Sequence, residues 1–179
     1  MLPTGKIRKI TMKTINVYEF NELNDEAKEK AINHFCDINV DYEWWEGIYE
    51  DANETDIKIT GFEMDRYCNI ELYDTLFNTM NKIMQCHGKM CDTHKLAEEY
   101  SRRRNDLVYE FGDGDTVFED NEGDFDRAEE ELDEEYTKFL AEEYRIMLIK
   151  EYDYLTSEEA IIETIECNEY HFTEKGEFI

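Results

Sequence analysis

The stretch "FDRAEEELDEEYTKFLAEEYRIML", Phe125 to Leu148, decides the fold class. Its apolar residues Ala128, Leu132, Tyr136, Phe139, Leu140, Met147 and Leu148 recur at helical intervals and make one stripe. A long helix is therefore expected from Phe125 onward. The opposite side is acidic: eight of the twelve residues from Asp124 to Glu135 are Asp or Glu. On a helix those twelve residues cover about 18 Å, or one negative charge per ~2.2 Å of axis. Duplex DNA carries one per ~1.7 Å. A helix so charged approaches the linear charge density of a nucleic acid. It can compete for a cationic groove built to hold phosphates. Glu129, Glu130, Glu131, Glu134 and Glu135 are the candidate contacts. The plainer reading is a solvated helix end that keeps the chain soluble.

Working outward, "LTSEEAIIETI" (155–165) carries a helix start, with Thr156 and Glu159 as a capping box and Leu155 and Ala160 as a hydrophobic staple. "YHFTEKGEFI" (170–179) reads as a small hairpin, with Gly176 where positive φ is needed. Upstream, residues 105–124 hold three glycines among many acids and read as an acidic loop. A calcium loop counted from Asp120 fails at its sixth position, where Phe125 stands in place of glycine. "DTHKLAEEYSRRR" (92–104) reads as a helix capped by Asp92, and "YDTLFNTMNKIMQC" (73–86) as one with Leu76, Met80, Ile83 and Met84 on one face. Ile57, Ile59, Gly61 and Met64 suggest a strand, and Cys68, Ile70 and Leu72 another. "VDYEWWEGIYEDANE" (40–54) and "NELNDEAKEKAINHF" (21–35) are helical, the latter with Asn24 as N-cap, and "KTINVYEF" (13–20) is a strand. The expected class is α+β: a helix-dominated single domain over 14–179 with a small, mostly antiparallel sheet.

Net charge is −27 and unevenly spread. Residues 1–13 carry four bases and no acids, and are expected to form a basic, flexible N-terminal extension. Residues 78–109 carry six bases and four acids, including "SRRRN" (101–105), while the segments on either side are strongly acidic. Such an excess repels nucleic acid and anionic membranes and attracts basic surfaces. No run of eighteen apolar residues suits a membrane span. With no export signal read at the start, the five cysteines are expected to be reduced thiols in a cytoplasm.

"MQCHGKMCDTHK" (84–95) places two cysteines and two histidines within nine residues. Zinc takes four such ligands in a tetrahedron. Cys86, His87, Cys91 and His94 are candidates. In a continuous helix His87, Cys91 and His94 share a face; if Gly88 breaks the helix, Cys86 and Cys91 flank a short loop and His94 joins from the next helix. Cys68 could supply a fourth ligand, and Asp65 or Asp92 could substitute. There is no CxxC knuckle of a standard zinc finger, and no general base is identifiable nearby, so a metal here would be structural; the plainer reading is a packed cysteine and surface histidines. No P-loop, GxSxG or HExxH motif is present, so a binding protein is expected rather than an enzyme. In "DYEWWEGIYED" (41–51) the adjacent Trp44 and Trp45 point about 100° apart on a helix. One is expected in the core and the other as an exposed anchor ringed by acids; both packing inside is equally compatible with the pattern.

Several stretches resemble small acidic proteins encoded by phages and prophages of low-GC bacteria. They are "INVYEFNELNDEAKEKAI" (15–32), "DINVDYEWWEGIYEDA" (37–52), "ITGFEMDRYC" (59–68), "HGKMCDT" (87–93) and the region from "YDYLTSEEA" (152–160) onward. The resemblance implies Cys68, His87 and Cys91 ahead of Cys86 as ligands. Accessory proteins of this kind include inhibitors of host defence, among them the anti-CRISPR proteins that block RNA-guided DNA nucleases. Those nucleases hold a heteroduplex in a long positive channel. By this analogy the chain is an inhibitor that stops target DNA loading, with a basic host protein as partner and no direct nucleic-acid binding. An antitoxin-like partner of a basic protein and a small metalloenzyme are the alternatives.

Overall fold

The computed structural model describes residues 14–179. The expected extension at 1–13 lies outside the described residues. The described chain holds six α-helices and two separate two-stranded antiparallel sheets, an α+β fold dominated by helices. Residues group into two compact units, 14–41 with 155–179 and 42–154, each with its own core.

The first unit is built on α1 (Asp25–His34) and α6 (Glu158–Cys167), with β1 (Tyr18–Glu19) paired to β4 (His171–Phe172). Ala27 and Ala31 fall one turn apart on α1 and share a core with Ile161, Ile165, Phe20, Leu23 and Phe172. Asn24 caps α1 as expected, its side chain accepting from the Ala27 N–H at 3.0 Å. At α6 the cap is Ser157, which accepts from Ala160 N–H at 3.3 Å, rather than the expected Thr156. The strand expected at 13–20 shrinks to two residues because its partner strand is only two long. Ile15 and Val17 are left exposed. Gly176 has φ 73°, and a Cβ there would lie 2.1 Å from the Ala27 carbonyl oxygen. The hairpin can close onto α1 only with glycine at that position.

The second unit contains α2 (Glu46–Glu54), β2 (Ile57–Glu63), β3 (Tyr67–Leu72), α3 (Leu76–Cys86), α4 (Asp92–Phe111) and most of α5 (Glu122–Leu155). The β2–β3 hairpin carries a bulge between Ile59 and Gly61 and buries Ile57, Ile59 and Cys68. Met64, expected in the strand, lies in the turn. The acidic loop expected at about 105–124 is shorter. Residues 105–111 continue α4, and Leu107 packs on the core. The break comes at Gly112, where a Cβ would meet the Thr116 carbonyl oxygen. The Asp113 carboxylate then accepts the N–H groups of Asp115 and Thr116, closing a tight turn.

α5 is 34 residues long, about 51 Å. Leu132, Tyr136, Tyr144 and Leu148 are buried along with Leu140, a series at four-residue spacing. Four residues overshoot a turn by about 40°, so the buried line sweeps about 160° around the helix from Leu132 to Leu148. Different elements therefore meet it in succession. Tyr136 packs edge-on to Tyr100 of α4, the Tyr144 hydroxyl lies 3.3 Å from Thr55 Oγ1 beside α2, and Tyr152 meets Trp44. Phe139, expected in the stripe, is exposed.

Candidate functional site

The five expected metal ligands do not come together as one donor set. Cys68 sits on β3 in the core, where burial pushes its thiol up to about 11. As packed it is a protonated thiol, not a thiolate. Cys86 ends α3, His87 is the C-cap, and Cys91 (not Asp92) is the N-cap of α4. These three line a cleft of about 380 Å³ with Asp51, Asp92, Thr93, Glu143, Met147 and Lys150. The histidines are already engaged. His87 Nδ1 is 2.7 Å from Thr93 Oγ1, and its Nε2 is 3.5 Å from Asp51 Oδ1. His94 is buried, with Nδ1 3.0 Å from the His87 carbonyl oxygen and Nε2 3.4 Å from Glu98 Oε1. Among the described residues no group of three or more His, Cys, Asp or Glu side chains is placed to hold a metal ion. In this arrangement the histidines tie α2, α3 and α4 to one another. The partners Asp51 and Thr93 carried no signal in the sequence, because they lie on other elements.

The acidic stretch of α5 divides in two. One part docks the helix onto α4: Glu135 accepts from Arg103 at 2.9 Å, and Glu129 from Arg104 at 2.6 Å. Arg104 also lies over the Phe77 ring at 4.3 Å. Tyr100 donates to Asp133 Oδ1 at 2.7 Å, and burial raises the Asp133 pKa. Arg102, the remaining arginine of "SRRRN", pairs with Glu99 and Asp106 along its own helix. The three arginines of "SRRRN" are thus paired within the chain. The other part stays free. Asp126, Glu130 and Glu131 are exposed and form no ion pair with any described residue, and Glu134 has only the exposed Lys138 at 3.7 Å. Asp126, Glu130 and Glu134 stand four apart, rising about 6 Å at each step. They line a shallow groove of about 620 Å³ with Glu129, Asp133, Thr137 and Lys138. Of the expected contacts, Glu130, Glu131 and Glu134 face solvent, whereas Glu129 and Glu135 hold the helix in place. Asp126 was missed, although its four-residue spacing from Glu130 could have revealed it.

Neither tryptophan is an isolated exposed anchor. α2 begins at Glu46, and both tryptophans precede it in a turn. Trp44 meets Trp45, Phe62 and Tyr152 at centroid distances of 5.6, 5.9 and 5.5 Å. Trp45 also packs on Phe62 at 5.8 Å, and Tyr49 does so at 6.4 Å. The five rings are each half-buried.

Against known proteins, no family model, no curated protein and no solved structure matches the chain. No helix among the described residues is long and apolar enough to cross a membrane.

Proposed function

We propose that the chain is a phage-type acidic inhibitor that occupies the basic, nucleic-acid-holding channel of a host defence nuclease of the RNA-guided class, in the manner of an anti-CRISPR protein. The observation that carries this reading is the division of labour on α5. Two arginine–glutamate bridges hold the helix against α4, so the free carboxylates of Asp126, Glu130, Glu131 and Glu134 are presented on a fixed support. Ordered charges at regular intervals cost less conformational entropy on binding than a flexible acidic tail does. A channel lined with Arg and Lys recognises phosphates by charge and spacing, and a rigid row of carboxylates offers both.

The test uses a purified RNA-guided DNA nuclease with its guide bound, and measures target-DNA loading by gel shift. The intact chain is expected to suppress loading, with an effect that falls steeply between about 0.15 M and 0.5 M salt as screening shortens. D126N/E130Q/E131Q/E134Q is expected to lose the effect, because it removes exposed charges that make no bond to α4. Equal suppression by that variant, or salt-independent binding, would overturn the assignment to this face.

A further inference from the structure

The half-buried aromatic cluster beside α2 is a second feature with chemistry of its own. Trp44, Trp45, Tyr49, Phe62 and Tyr152 pack mostly edge to face, and Tyr42 next to them is 62% exposed. Three carboxylates adjoin these residues along the chain: Glu43 and Glu46 on either side of the tryptophan pair in sequence, and Glu50 one turn along α2 from Glu46. All three are exposed, and none pairs with a base among the described residues. Part-exposed rings on the same short segment as unneutralised carboxylates favour a cation that can use both at once. Guanidinium does so, because it is planar, stacks on a ring and forks its donors to a carboxylate; ammonium presents only a point charge.

We infer that this patch is a binding site for arginine side chains on a segment of a partner protein. The inference rests on the reading above only for the basic character of the partner, and it names the residue type that partner must present. Charge complementarity selects this occupant. A second copy of the chain would bring a molecule of net charge −27 against the same acidic rim.

Trp44 and Trp45 are the chain's two tryptophans, so intrinsic tryptophan emission reports on this patch alone. The experiment titrates the full chain with hexa-arginine and hexa-lysine peptides at equal ionic strength and follows that emission. Hexa-arginine is expected to give a saturable change at a midpoint roughly two- to fivefold below that of hexa-lysine. In E43Q/E46Q/E50Q its midpoint is expected to rise several-fold, while D126N/E130Q/E134Q titrates as the intact chain does. Equal midpoints for the two peptides would overturn the site, as would an unaltered midpoint in E43Q/E46Q/E50Q. A midpoint raised as much by the α5 variant would also overturn it, since the response would then be general charge attraction. Failure of the intact chain to suppress DNA loading, with its arginine preference present, sinks only the proposed function; suppression by an intact chain that shows no arginine preference sinks only this site.

Discussion

Asp133 and Glu134 are neighbours in sequence with opposite fates. Glu134 points to solvent; Asp133 is half-buried, accepts from Tyr100, and has its pKa raised by burial. A carboxyl whose pKa rises on folding binds its proton more tightly in the native state than in the unfolded chain. Its contribution to stability grows as pH falls through the carboxylate range and is lost as pH rises above it. D133N is therefore expected to raise the urea midpoint at pH 7 by more than E130Q does, since the amide keeps an acceptor for Tyr100 and sheds the buried charge. The difference should fade as pH falls until Asp133 is protonated in both states. Identical gains from the two variants would mean that only net charge matters. Neither role is visible in "ELDEEY" (131–136), because sequence shows the carboxyl and not the hydroxyl that reaches it from α4.

Helix α5 shows how far periodicity carries at the scale of an element. The stripe from Ala128 to Leu148 located the helix, and Leu132, Tyr136, Leu140 and Leu148 are buried as that stripe requires. It erred at two aromatics. Phe139 is 45% exposed, and Tyr144, not counted in the stripe, is fully buried. The hydroxyl is satisfied by donating to Asp51 Oδ2 at 3.4 Å, a partner on another helix. Leu140→Ala is expected to cost about 2–5 kcal/mol in chemical unfolding. Phe139→Ala should cost far less than a buried Phe would, and a comparable loss would show that the ring is covered in solution. The ends of elements were less legible. "NDLVYEF" (105–111) runs into the acidic, glycine-bearing stretch with no stop signal, and α4 continues through it, with Leu107 on the core and Phe111 against Phe125, to the close backbone approach at Gly112.

For the whole molecule, a net charge of −27 opposes compaction, and each of the two units must hold its own core against it. Screening should therefore help the native state. The thermal midpoint is expected to rise from low salt to about 0.5 M, where the Debye length is only a few ångströms. A falling midpoint would show that the internal pairs, led by Arg104 with Glu129, outweigh the general repulsion. This trend is opposite in sign to that expected for partner binding, so the two are separable by experiment. The sequence by itself determined the helix-dominated α+β class, the position of the long helix and the acidic character, because each depends on local spacing or on simple counting of charge. Only the tertiary structure decided which carboxylates remain free, that the tryptophans share one aromatic cluster, and that His87 and His94 are already engaged within the fold. Those outcomes depend on groups 25 to 32 residues apart for the arginine–glutamate bridges. Pairing over such distances is set by how helices dock, which no local pattern records.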